Sequence, residues 1–243
     1  MEPQRLQKLI ARAGLGSRRQ AELWLRQGRV HVNGRLAHLG DRADPERDVI
    51  ALGGRPLRDA ASSLTLMLHK PGGVISTCRD QAGRRTVMDL LPPSCRRGRG
   101  LHPVGRLDAD SRGLLLLTND GMLTLRLTHP RHGHRKTYRV WVRGHPDSAC
   151  LGRWREGVVI DGRPTLSLQL KVLRRSADAT RLELHMAEGG NRQIRRTAEL
   201  LGHPVEDLLR TAIGELTLGT LPEGVCRPLG PREWELLLAG ADP

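Results

Sequence analysis

The stretch Gly105–Gly121, GRLDADSRGLLLLTNDG, constrains the fold more than any other part of the chain. A polar turn holds Asp108 between Arg106 and Asp110. It runs into the apolar residues Leu114–Leu117, which Gly113 and the turn Thr118-Asn119-Asp120-Gly121 bound on either side. A short apolar run between turn signals reads as a buried strand. An acid on a turn that feeds a buried strand is held rigidly at a place a substrate can reach. Pattern alone also allows an ordinary turn residue, because an Asp side chain bonds nearby backbone amides. With 38% hydrophobic residues, no Phe and Tyr138 as the only Tyr, the core around this strand must be built from Leu, Val, Ile and Ala.

The chain has 243 residues, which is one to two domains. Forty Lys and Arg face 26 Asp and Glu, a net charge of +14. Lys8, Lys70, Lys136 and Lys171 are the only lysines, so the positive charge is mostly Arg. The guanidinium fork suits phosphates and stacks on bases, and such a charge points to a polyanionic partner. No long apolar span, signal peptide or lipidation motif directs the chain to a membrane. The four cysteines form no C-x-x-C pair, which argues against a zinc knuckle or disulfide framework and fits a reducing cytoplasm. His129, His132 and His134 lack an i, i+4 pair and neighbouring acidic or Cys ligands, so a basic loop is expected there and no metal.

Near the start, Leu6, Leu9, Ile10 and Ala13 recur at helical spacing, and Gly14-Leu15-Gly16 ends that helix. Ser17 with Gln20 opens a second helix as a capping box, and Gly28 is its stop. Val30-His31-Val32 followed by Asn33-Gly34 signals a hairpin. Arginines interleave these elements, and any one of them is equally a solvated charge. Arg58–Ser63 reads as a linker, and Leu64–Leu68 starts a strand.

Beyond the linker, Val74–Thr77 reads as extended, and Thr86–Leu91, Leu123–Leu127 and Glu233–Leu238 read as short helices. Cys95–Gly100, CRRGRG, is a loop either near a nucleic acid or merely solvated. Lys136–Val142 alternates as a strand, with Tyr138 on the side of Val140 and Val142. Leu166, Leu168, Leu170 and Val172, then Leu182, Leu184 and Met186, alternate across a turn at Ser176–Asp178, as an antiparallel hairpin does. Leu208–Arg210 and Ile213–Leu216 form a last strand. Short turns and no repeating βαβ unit favour α+β with a largely antiparallel sheet. Glu188-Gly189-Gly190-Asn191 leads into a helix with Ile194, Ala198 and Leu201 on its core side. Arg192, Arg195 and Arg196 lie in its first turns, where cations oppose the helix dipole. They must meet anions, either phosphates or local acids such as Glu188 and Glu199.

RLQKLIARAGLGSRR…GRVHVNG resembles the small RNA-binding module named after ribosomal protein S-four. By that resemblance residues 1–60 bind RNA backbone through Arg5, Lys8, Arg18 and Arg19. HKPGGVIST (His69–Thr77), the Asp108 stretch, KTYRV (Lys136–Val140) and EGGNRQIRRTAELLGHPV (Glu188–Val205) together resemble the bacterial ribosomal RNA pseudouridine synthase family, the branch that modifies one or a few sites. Ser111 stands where Thr is usual, Gly190 where a basic residue is usual, and Thr197-Ala198 where bulkier apolar residues are usual.

The resemblance implies a catalytic domain at 64–240, with a mixed, largely antiparallel sheet flanked by helices. It implies isomerisation of uridine to pseudouridine in RNA, without a cofactor, on a flipped base. Asp108, Tyr138 and Arg195 would be catalytic, with Arg195 as the cation beside the acid. Arg106, Leu107 and Leu208 would line the pocket. Lys70, Arg192 and Arg196 would join the RNA-binding set. Large-subunit ribosomal RNA is the expected target, with small-subunit RNA or a catalytically silent ribosome-assembly factor as alternatives. An RNA methyltransferase would need a Gly-rich cofactor turn, and none is convincing. A monomer is expected, since no heptad pattern is present.

Overall fold

The computed structural model describes residues 2–57, 63–96, 99–129 and 133–239. Most of the expected linker from Arg58, the middle of the CRRGRG loop and Pro130–His132 of the histidine loop lie outside the described residues. The chain separates into two compact units. One holds Met1–Thr65, Leu91–His102 and Thr118–Gly121, and the other holds the remainder.

In the first unit, helices α1 (Leu6–Arg12) and α2 (Arg18–Arg26) precede a small sheet. Leu6, Leu9 and Ile10 of α1 and Ala21 and Leu25 of α2 form its core with Val30 and Ile50. Ser17 caps α2, its Oγ accepting the Gln20 amide at 3.1 Å. The expected hairpin is β1 (Val30–Val32) and β2 (Arg35–Leu36), turned by Asn33 and Gly34, both at positive φ as a tight two-residue turn requires. Sequence reading missed β3 (Ile50–Leu52) and β4 (Arg55–Pro56), which extend this sheet in the order β2-β1-β3-β4.

Leu91–His102 and Thr118–Gly121 group with this unit. Asn119 Oδ1 accepts the Leu64 amide at 2.9 Å, and the hydroxyls of Thr65 and Thr118 meet at 2.8 Å. A Cβ on Gly100 would lie 2.8 Å from the carbonyl oxygen of Ala11, so only glycine fits there.

The second unit is built on a nine-stranded mixed sheet. Its main path uses β5 (Thr65–Lys70), β6 (Arg112–Thr118), β7 (Lys136–Arg143), β8 (Gln169–Arg175), β9 (Ala179–Met186), β10 (Val205–Ile213) and β11 (Cys226–Pro228). Their order is β8-β9-β7-β10-β6-β5-β11. β7 lies antiparallel to both β9 and β10, while β10 and β6 are parallel. The apolar run Leu114–Leu117 is fully buried, as expected of a strand covered on both faces.

Helix α3 (Gly121–Thr128) and a C-terminal helix (Pro231–Ala239) bury Leu123, Leu127 and Leu237 against Met67, Leu114, Leu116 and Ile213. Helix α4 (Ser148–Glu156), which sequence reading passed over, starts at an Asp147 cap and buries Leu151 and Trp154. Helix α5 (Gln193–Leu200) packs on β10. The strand expected from Leu166 begins only at Gln169, and Leu166 is exposed. Val74–Thr77 forms an isolated bridge, Ile75 to Thr86, rather than a strand. No helix among the described residues is long and apolar enough to cross a membrane.

Candidate active site

The Asp108 turn is built by its neighbours in space. Ser111 donates its amide to the Asp108 carbonyl at 3.1 Å, which closes the turn. The HKPGGVIST block braces it from outside. Gly73 donates its amide to the Ala109 carbonyl at 2.8 Å. Ser76 Oγ donates to the Leu107 carbonyl at 2.8 Å and accepts the Leu107 amide at 3.1 Å.

Lys70 Nζ donates to the carbonyls of Ser111 (2.7 Å), Pro71 (2.9 Å) and Ala109 (3.3 Å). Lys70 is completely buried, so its expected place at an RNA phosphate is corrected: it anchors the turn. Burial pushes its ammonium down to about 8, helped by the charge of Arg210, while Asp110, Asp108 and Glu223 oppose the fall.

Gly113, on β6, has φ 113° where that strand runs against β10. A Cβ there would sit 2.2 Å from the Arg210 carbonyl oxygen and 2.6 Å from its amide nitrogen. The glycine after the acid therefore lets two central strands close. Arg210 is buried, and its Nε donates to the Leu114 carbonyl at 2.8 Å.

Asp108 opens onto a cavity of about 280 Å³. Tyr138, Met186, Ile194 and Leu208 form its apolar wall, and Arg106, Leu107, Ser111, Arg192 and Arg195 also line it. Tyr138 is buried on β7 beside a register shift between Thr137 and Tyr138 in the pairing with β10. Such irregularities re-aim side chains. The structure thus brings Asp108, Tyr138, Arg195, Arg106, Leu107 and Leu208 to one cavity. Met186 and Ile194 were missed. Both are apolar residues that pattern assigns simply to a core. A second cavity, of about 410 Å³, shares the Arg106–Asp108 wall and includes Arg79 and Arg84.

The arginines at the start of α5 all meet acids of this chain. Arg195, expected beside Asp108, instead lies with its Nε 3.2 Å from Asp110 Oδ2, and its Nη2 donates to the Asp110 carbonyl at 2.8 Å. Its Nε approach is an ion-pair contact without hydrogen-bond alignment. Arg192 grips the Asp110 carboxylate with both Nη atoms, at 3.1 and 2.9 Å, and stands 4.0 Å from Asp108 Oδ2. Arg196 forms a two-pronged pair with Asp161. Of the two local acids expected to serve them, Glu199 adds only its charge near Arg192, and Glu188 is engaged elsewhere. Glu188 accepts from the Leu166 amide and from Gln193 Nε2, which fixes the loop before α5. Burial pushes the Asp110 carboxyl up, but hydrogen bonds from Arg192 and the charges of Arg195 and Arg192 outweigh it and hold the group below the usual carboxylate range.

In the first unit, Arg5, Arg18 and Arg19 are exposed and Lys8 is half-buried.

A family model described as RNA pseudouridylate synthase matches residues 65–200, more than half of the chain. The chain belongs to the RNA pseudouridine synthase family. An S4 domain model matches residues 4–49. An uncharacterized RNA pseudouridine synthase of Mycobacterium leprae is 41% identical over 93% of this chain and 88% of its own length. Ribosomal large subunit pseudouridine synthase B of Bacillus subtilis is 37% identical over 98% of this chain and 97% of its own. A crystal structure of a pseudouridylate synthase superposes with a TM-score of 0.69 at 32% identity, covering 96% of this chain and 99% of that one. As a member of this family the protein is an isomerase with an RNA-binding module at its N-terminal side.

Proposed function

We propose that this enzyme converts a uridine of large-subunit ribosomal RNA to pseudouridine, with Asp108 opening the reaction on a base flipped out of the RNA. The observation that carries the reading is a carboxylate on a braced turn at the rim of a cavity that also holds Tyr138, Arg195 and Leu208. The relatives named for the large subunit support the target.

The reacting carbon of a stacked uridine is out of reach, so the base must leave the stack to enter an apolar-walled cavity. Tyr138 and Leu208 would sandwich the uracil there. Asp108, as nucleophile or base, opens the step that breaks the bond between ribose C1′ and N1. The uracil turns, C5 joins C1′, the proton on C5 leaves and N1 gains one. Atoms and electrons balance without a cofactor. Tyr138 sits on the wall from which a hydroxyl can assist removal of the C5 proton. Arg195 supplies positive charge at the wall of the cavity that Asp108 also lines, and such charge in a shielded site acts more strongly than in water. The exposed arginines of the S4 domain would hold RNA backbone and position the target without reading its sequence.

The test is tritium release from ribosomal RNA labelled at uridine C5. Large-subunit RNA, free or in immature particles, is expected to release tritium, and the modified nucleotide is then mapped. Release from small-subunit RNA alone would move the target. No release from either RNA in either form would overturn the reading.

A further inference from the structure

Asp110 has no part in the chemistry just described, yet it holds two of the three arginines that line the cavity, Arg192 and Arg195. Arg192 binds its carboxylate with two hydrogen bonds, and Arg195 meets both its carboxylate and its carbonyl. Asp108, two residues earlier on the same turn, has only Arg192 within 4.0 Å among the described cations. Arg192 is also held in an unusual shape. It sits at φ 48° and ψ 28°, a left-handed conformation that a residue with a side chain rarely adopts. It stands at the N-cap of α5, but its side chain makes no cap and turns to Asp110 instead. A strained residue persists only where its surroundings over-determine it. Here the Asp110 pair does so. Arg195 is the more enclosed of the two, with 14% of its side chain exposed against 44% for Arg192.

We propose that Asp110 is a positioning residue for the isomerase reaction: it holds Arg195 at the rim of the cavity that Asp108 also lines and keeps Arg192 from RNA phosphate. This rests on the reading of Asp108 as the group that opens the reaction. Arg195 is held at the rim by the carboxylate and carbonyl of Asp110 and, more weakly, by the Ser111 hydroxyl at 3.5 Å, all on one turn. Its placement is therefore set by the turn that carries Asp108, so acid and cation move as one body. Arg192 must leave a carboxylate before it can meet a phosphate, which weakens the grip on RNA and leaves the orientation of Arg195 intact.

The test is steady-state tritium release by Asp110→Asn, Asp110→Glu and Asp108→Asn, each with a melting curve. In Asp110→Asn, kcat is expected to fall roughly 10- to 100-fold as Arg195 loses its alignment. KM for RNA should not rise. The slope of log KM against log salt should steepen by about 0.7, one more phosphate contact on single-stranded RNA. Asp110→Glu keeps the charge and should restore the wild-type slope and part of kcat. A merely destabilised variant loses active enzyme without steepening the salt slope. The inference is overturned if Asp110→Asn keeps kcat within about twofold of wild type, or if its KM rises. Asp108→Asn separates the two claims. Activity in that variant removes the reading of Asp108 itself. A silent Asp108→Asn beside a normal Asp110→Asn removes only the role of Asp110.

Discussion

Two helices of this chain begin among arginines, and their surroundings differ. Helix α2 opens behind a Ser17 cap, and Arg18 and Arg19 stand exposed with no acid partner among the described residues. Helix α5 opens behind Arg192 with no side-chain cap, and Arg192, Arg195 and Arg196 are all paired, the first two with Asp110 and the third with Asp161. Cations at a helix N-terminus face the positive end of the dipole in both places. On α2 that cost is left for an outside anion to relieve. On α5 the protein relieves it internally, and the cations become parts of a fixed arrangement. The first arrangement suits affinity for a polyanion, and the second suits orientation of a reacting group.

The two sets should separate in kinetics. Arg195→Ala should lower kcat roughly 100- to 1,000-fold with KM within about threefold, read from steady-state tritium release. An effect confined to KM would erase the distinction between the helices.

Lys70 belongs to neither set, because its charge is spent on three carbonyls. Its folded value, about 8, lies below the ordinary 10.5. The ammonium is therefore charged below about pH 8 and neutral above it. The cost of burying that charge is fully present below about 8 and is relieved as pH rises toward 10.5. Activity should fall above pH 8 as the turn loses its charged anchor, while this group's contribution to the melting temperature rises. In Lys70→Met both trends should vanish along with most of the activity. Parallel pH profiles of rate and melting in the wild type would contradict this role.

The double variant Arg18→Ala, Arg19→Ala should raise KM roughly tenfold and make its salt slope shallower by about 1.4, with kcat unchanged. Filter binding at several salt concentrations checks it independently. Arg196→Ala should be the mildest change, within about twofold in kcat and KM, because an exposed ion pair contributes little.

The sequence carried the local parts of this structure and lost the tertiary ones. The apolar run of β6, the Ser17 cap and the Asn33-Gly34 turn follow from residue type and spacing, and each stands where expected. Lys70 was misread because lysine is almost always exposed. Nothing nearby in the chain announces that carbonyls 39 and 41 residues away will receive it. The partner of Arg195 was misassigned for a related reason. Asp108 and Asp110 are equivalent in spacing arguments, and which one meets a residue 85 positions later depends on how the turn is braced. Helix α4 did carry a signal, the Asp147 cap before Leu151 and Trp154 at helical spacing, that the reading overlooked. The cavity wall was half legible. Tyr138 stood out as the lone tyrosine, whereas Met186 and Ile194 look like any core residue until β9 and α5 are placed beside it.

If Asp108 opens the reaction, its loss must stop the chemistry and spare RNA binding. The most direct measurement is a single-turnover assay of Asp108→Asn on C5-tritiated ribosomal RNA, with RNA binding measured on the same preparation. Binding is expected close to wild type, and tritium release is expected to fall by about a thousandfold or more. Release near the wild-type rate by a variant that binds RNA normally would contradict it.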